Sequence, residues 1–266
     1  MKIVVCIKQV PEVTNVQVDP ETGTLIREGV KSILNPFCEY ALDHAVRLKQ
    51  EFEDVTISVI SMGPPQAKDA LLRCLELGAD EGILVTDRKF AGADSWVTAL
   101  TLAEAIRLTV PDYDLILVGK QAIDGDTAQV GPEIAEILSL PQITYGIEVG
   151  LSSTRKQVRV KQEVERGYEV VEASLPALIT CSKGEVVRRA PSFLDVLNAR
   201  KKPIRSVSAD DLGIPAEELG LKGSFTQVVK VFPPPEKKCG RLVQNLETDQ
   251  AAAEIFNFLK EKRFIE

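Results

Sequence analysis

The stretch 115–138, LILVGKQAIDGDTAQVGPEIAEIL, holds a complete structural unit in 24 residues. Four apolar residues, Leu115–Val118, stop at Gly119. A polar loop runs to Gly131, and Pro132 opens a helical pattern to Leu138. A short continuous apolar run between turn signals marks a strand buried on both faces. Proline suits the first helical turn, where its missing N–H would have no partner anyway. The unit is strand, loop, helix.

The same unit recurs toward the N-terminus. Ile3–Val10 reads as a buried strand, and Asn35-Pro36 introduces a helix with Phe37, Ala41, Leu42, Ala45, Val46 and Leu48 on its apolar face. Val55–Ser61 is the next strand. It is closed by Met62-Gly63-Pro64-Pro65 and followed by a helix that ends at Gly78, a C-terminal cap. Gly82–Thr86 is a strand, and Asp94 or Ser95 caps a helix reaching Leu108. This alternation predicts a doubly wound, mostly parallel, Rossmann-like α/β sheet with helices on both faces. Beyond it, Val158–Val164 and Tyr168–Ala173 alternate about Arg166-Gly167 as an antiparallel hairpin, and Leu178–Cys181 returns as an inner strand.

After about Lys183 the composition shifts. A basic stretch, Ala199–Pro203, precedes Pro233–Pro235 and an amphipathic helix near Asp249–Arg263. The expected division is an α/β domain over 1–184 and, over 185–266, a docking loop, an extended arm and a C-terminal helix. The arm either packs back on the parent sheet or wraps another subunit, and the second is favoured.

Composition excludes several classes. With 39 acidic against 32 basic residues the net charge is −7, which argues against binding nucleic acid through phosphates. No apolar run approaches the roughly 20 residues of a membrane helix, and the start turns polar too soon for a signal peptide. A cytoplasmic location is expected. Five scattered cysteines and a single histidine support neither a metal site nor a disulfide framework. Cys6 and Cys181 are expected to be buried and inert, and His44 to be solvated or capped.

In an open parallel sheet, ligands bind where the strands' carboxyl ends meet the loops. Four loops qualify: those after Ile3–Val10, at Met62–Pro65, at Gly92–Ser95 and, longest, at Gly119–Gly131. The last has three glycines for close backbone approach, a helix start that favours an anion, and the hydrogen-bonding Thr127 and Gln129. Asp124 and Asp126 could accept from ribose or adenine, or merely tie the loop by local turns. The pattern is neither G-x-G-x-x-G nor a P-loop. From the residues alone, a phosphate-bearing ligand and a ligand-free surface loop stand level.

The segment Gly119–Pro132 resembles the signature of the electron-transfer flavoprotein β subunit. Asn35–Glu39 resembles that family's second nucleotide segment, and Val5–Pro11 and Ser61–Pro64 are similar too. Order and spacing match along nearly the whole chain. The resemblance implies pairing with an α subunit that carries a mobile FAD domain and passes electrons to a flavin dehydrogenase, of acyl-CoA or lactate type. It implies a nucleotide site made by Cys6, Asn35, Pro36, Phe37, Cys38, Met62 and the loop Gly119, Lys120, Gln121, Ala122, Ile123, Asp124, Gly125, Asp126, Thr127, Ala128, Gln129 and Val130. Asp94 and Thr98 are additions at the same sheet end.

Plain members of that family hold AMP there. Electron-bifurcating members hold a second FAD, which takes hydride from NADH and divides the electrons between ferredoxin or flavodoxin and the α-subunit FAD. The bifurcating pattern Gly-Asp-Thr-Ala-Gln-Val stands here at 125–130, so FAD is expected, with AMP as the alternative. No side chain need act as acid or base in such a transfer, so no catalytic residue is assigned. A family docking loop maps to 185–205, with Phe193 as apolar anchor flanked by Leu194 and Leu197. A competing reading from another class is a nucleotide-binding regulatory module without flavin or partner.

Overall fold

The computed structural model describes residues 1–12, 31–184, 190–230, 240 and 242–265. The Pro233–Pro235 arm and the first residues of the docking loop lie outside these. Among the described residues two compact units are found, Met1–Lys230 and Val231–Glu266.

In the first unit, β1 (Lys2–Cys6) is followed by β2 (Gln9–Pro11) and β3 (Ser32–Leu34), then α1 (Pro36–Glu51), β4 (Thr56–Met62), α2 (Lys68–Leu77) and β5 (Glu81–Val85). Next come α3 (Ser95–Thr109), β6 (Leu115–Gly119), α4 (Val130–Ile137), β7 (Gln142–Leu151), β8 (Gln157–Val164), β9 (Gly167–Ser174) and β10 (Ala177–Cys181). The unit ends with α5 (Phe193–Ala199), β11 (Ile204–Val207) and short helical turns. One sheet runs β11-β5-β4-β1-β6-β10-β7-β8-β9. It is parallel from β11 to β7 and antiparallel through the β7-β8-β9 meander.

The sheet is doubly wound, and its core shows why. Strand residues alternate between the two faces: Ile3, Val5, Leu115 and Leu117 join one apolar layer with Leu42, Leu48, Leu71 and Leu75 of α1 and α2. Val4, Cys6, Ile116 and Val118 join the other with Leu102, Ile106 and Ile134 of α3 and α4. A strand serving two layers cannot carry polar residues on either side, hence the unbroken runs. Each fully buried Leu or Ile contributes about 1.5–3 kcal/mol.

Three expectations change. The run Ile3–Val10 is not one strand: the chain leaves the sheet after Cys6, and β2 pairs antiparallel with β3 in a separate two-stranded sheet. The expected boundary at 184/185 falls inside the first unit, because β11 adds in parallel to the edge at β5. Lys202, from the basic stretch, donates to the carbonyls of Leu75 (3.1 Å) and Ala79 (2.5 Å) at the end of α2. A cation is favoured there by the helix dipole. Third, His44 is neither solvated nor capped. Its ring is 1% exposed, with neither nitrogen hydrogen-bonded among the described residues. Burial, helped by Arg47, lowers its pKa to about 4, so it is neutral at pH 7.

Cys6, Cys38, Cys74 and Cys181 are free and buried, and burial pushes each thiol's pKa up. No metal-binding cluster is found among the described residues, and no described helix is long and apolar enough to cross a membrane. In the second unit, Thr248–Glu261 is helical and carries Ile255, Phe256 and Phe258.

Candidate functional site

The strand order places a topological switch point at β1 and β6. From β1 the chain winds outward through β4 and β5, then crosses to β6 on β1's other side. The crevice opens where those connections diverge, outside the carboxyl ends of the two strands. Cys6–Lys8 leave β1 there, α1 begins there, and the loop after β6 leads there into α4.

The first half of that loop is held by protein. Asn35, 1% exposed, donates from Nδ2 to the Gln121 carbonyl (2.8 Å) and toward Cys38 Sγ (3.2 Å), while its Oδ1 accepts from the Ile123 amide (3.2 Å). Both amide hydrogens and the oxygen are thus used within the chain. Lys8 grips Asp124 by 2.8 and 2.9 Å contacts to both carboxylate oxygens. The Lys120 amide donates to the Cys181 carbonyl (2.8 Å), and its ammonium lies 4.7 Å from the Tyr145 ring centre. Gly119 is needed for packing: a Cβ there would lie 2.7 Å from the Phe37 carbonyl carbon and 2.8 Å from the Cys38 amide. Only glycine lets the start of α1 rest on the end of β6.

The second half is different. Gly125 has open space where a Cβ would project, with no atom within 4 Å. Asp126 and Ala128 hold φ of 55° and 56°, left-handed values that cost a non-glycine residue roughly 1 kcal/mol or more. Gln129 then returns to right-handed geometry and caps α4 without using its own side chain on the cap. A left-handed residue followed by a right-handed one turns successive amides to one side, an anion-accepting concavity, here continued by the first amides of a helix. Asp124, Gly125, Asp126, Thr127 and Gln129 are exposed. Gln121 Nε2 bonds to the Asp126 carboxylate, tying the two halves.

The remaining expected residues are spread around this crevice. Cys6 is buried with its thiol in the core, so a ligand would meet its backbone rather than its sulfur. Pro36 and Phe37 open α1, and Met62 ends β4 half-buried. Asp94 caps α3 through the Val97 amide (3.1 Å), and its other oxygen accepts from the amide and hydroxyl of Thr226 (3.0 and 3.1 Å). Its carboxylate is therefore occupied by the chain, and these amides hold its pKa low against burial. Thr98 lies in the first turn of α3. Two further residues belong here: Ser95, read from sequence only as a possible cap, and Glu133, which the sequence reading did not single out. Ser95 of α3 lies 2.9 Å from Gln129 Oε1 and 3.2 Å from Glu133 Oε1 of α4. Burial raises the Glu133 pKa, Asp94 adds to the rise, and the Ser95 hydroxyl opposes it. Their only sequence signal was polarity at two helix starts.

Away from the crevice, α5 is opened by a capping box in which Ser192 and Asp195 exchange hydrogen bonds. It presents Phe193, Leu194 and Leu197 to solvent at 77%, 67% and 40% exposure.

These features define a doubly wound α/β protein with a strained, glycine-bearing loop at its switch point. The electron transfer flavoprotein domain matches residues 22–212. The Caffeyl-CoA reductase-Etf complex subunit CarD of Acetobacterium woodii is 44% identical over 265 residues, covering all of both chains. The electron transfer flavoprotein subunit beta of Clostridium acetobutylicum is 45% identical over 265 residues, again covering both. The acryloyl-CoA reductase electron transfer subunit gamma of Anaerotignum propionicum is 38% identical over 257 residues, 94% of this chain and 95% of its own. The chain belongs to the electron transfer flavoprotein family, as a β-type subunit.

Proposed function

We propose that the crevice at β1 and β6 holds the diphosphate of an FAD, and that this chain is the NADH-linked subunit of an electron-bifurcating flavoprotein. The observation that carries this reading is the contrast within one loop. Its first half is fixed by Asn35 and Lys8, while its second half offers left-handed turns, a helix start and open space above Gly125. A bulky acidic residue at 125 would project into that space and add negative charge beside a diphosphate. The residues present fit a dinucleotide: room at Gly125, amides at Ala128–Val130, and hydrogen-bonding side chains at Thr127 and Gln129.

When bound, FAD would supply the chemistry, accepting hydride from NADH and dividing the electrons between ferredoxin or flavodoxin and an α-subunit FAD. The chain's own part is to bind, orient and shield it. The α subunit and a flavin dehydrogenase, of acyl-CoA or lactate type, are the proposed protein partners. The exposed Phe193, Leu194 and Leu197 on a firmly capped helix suit the docking of the dehydrogenase. The reductase-complex names of the relatives are compatible with this, without naming this chain's acceptor.

The test is nucleotide content. The co-purified α/β complex should release two FAD per heterodimer on denaturation and bleach with NADH. One FAD and one AMP, with no bleaching, would instead make this chain the AMP-holding subunit of a plain electron carrier.

A further inference from the structure

The Ser95 contacts contain a hydrogen-counting problem. A serine hydroxyl has one hydrogen, yet Ser95 Oγ faces two oxygens, Gln129 Oε1 at 2.9 Å and Glu133 Oε1 at 3.2 Å. If it donates to one, the other needs a hydrogen of its own. The shorter contact goes to the amide oxygen, although an ionised carboxylate would be the stronger acceptor. The arrangement closes if the Glu133 carboxyl is neutral and donates to Ser95, which in turn donates to Gln129. The other Glu133 oxygen agrees: it is buried with no hydrogen-bond partner among the described residues. A carbonyl-like oxygen tolerates that far better than half of a carboxylate would.

The consequence falls on Gln129. With Oε1 engaged by Ser95, its Nε2 hydrogens are left for whatever occupies the loop. Were Glu133 ionised, it would take the hydroxyl hydrogen. The carboxamide would then turn to donate to Ser95, presenting an oxygen to the ligand instead.

We propose that Ser95 and Glu133 are positioning residues which fix the carboxamide of Gln129 with its donor edge toward the ligand's phosphate. This rests on the loop being the nucleotide site. It makes the start of α3, a different element from the loop, part of the selectivity for an anionic group.

The test uses the full chain and two probes, AMP and adenosine, titrated calorimetrically. Ser95→Ala and Glu133→Ala should each weaken AMP binding about 3- to 10-fold, the range of one ordinary hydrogen bond, and leave adenosine affinity unchanged. Glu133→Gln, whose amide can still donate to Ser95, should restore AMP affinity to within about 2-fold of the parent, well inside the effect of one hydrogen bond. Ser95→Thr should do the same. Gln129→Ala sets the reference and should lose at least as much AMP affinity as Ser95→Ala. If Gln129→Ala matters and Ser95→Ala does not, the positioning role is overturned while the site stands. Equal losses for AMP and adenosine in Ser95→Ala would also overturn it, as a general loosening of the helix. If the parent binds AMP no better than Gln129→Ala does, the site reading itself fails.

Discussion

The loop after β6 has two halves that look alike in sequence and behave differently in space. Each contains a glycine and an aspartate. In residues 119–124 the glycine has α1 against its face and the aspartate is held by Lys8. In residues 125–130 the glycine faces open space, and the aspartate sits in a left-handed turn. The first half is an anchor whose polar groups are consumed by the protein. The second half is the part with groups to spare. A glycine in a nucleotide-like loop can therefore be there for the fold or for the ligand, and the two kinds respond to opposite measurements.

The largest effect is expected at the anchor. Gly119→Ala places a methyl group within 2.7 Å of the Phe37 carbonyl carbon, where nothing but backbone can yield. Overpacking of this kind costs about 1–3 kcal/mol, and a rigid backbone neighbour puts it at the upper end. Chemical denaturation should show the midpoint falling with little change in slope. A stability equal to that of the parent would mean that α1 does not rest on the end of β6, and the distinction between the halves would lose its footing.

Asn35→Ala is next. It removes the partner of the Gln121 carbonyl and of the Ile123 amide, so about 1–3 kcal/mol of stability should go, from unpaired groups that are only partly buried. Hydrogen exchange sharpens the comparison. Protection of the Ile123 amide should drop sharply, while amides within α4 should change little. If the α4 amides lose protection equally, the two halves act as one unit.

How much of this could be read from the chain follows from the range of each interaction. Strand–helix alternation was legible because burial on both faces leaves continuous apolar runs, and Asp94 was legible as a cap because capping acts over three residues. The candidate loop's place at the carboxyl end of a buried strand followed from the order of the units. The break in Ile3–Val10 was hidden, since the same β-branched run serves β1 and then a small sheet whose other strand, Ser32–Leu34, comes much later in the chain. Ile204–Val207 carried too few apolar residues to announce an edge strand, and it is identified only by its pairing with β5. His44 was read as solvated or capped although its neighbours Ala41, Ala45 and Leu48 share its buried side of α1. Asn35 was expected in the nucleotide site only through the resemblance of Asn35–Glu39 to the family's second nucleotide segment. Its work as a clamp depends on a loop 86 residues away, which no local pattern encodes. The hydrogen count at Ser95 is further from sequence still, because it needs two helix starts side by side.

The smallest effect on the fold, and the one that bears most directly on the second half, is expected from Gly125→Asp. The position is exposed, a Cβ meets no atom, and its φ is not left-handed, so stability should stay within about 0.5 kcal/mol of the parent. Nucleotide retention should nonetheless fall. A carboxylate some 6–8 Å from a diphosphate, at the high effective dielectric of an exposed loop, costs about 0.5–1 kcal/mol per charge, or roughly 2- to 5-fold in affinity. The loss should shrink as salt is raised, because exposed charges are screened. Measuring midpoint and bound nucleotide on one preparation separates the outcomes. A lower midpoint with unchanged retention would make Gly125 another anchor. Unchanged midpoint and unchanged retention would place the phosphates elsewhere along the sheet end. Only a steady midpoint with salt-sensitive loss of nucleotide keeps the two glycines in different roles.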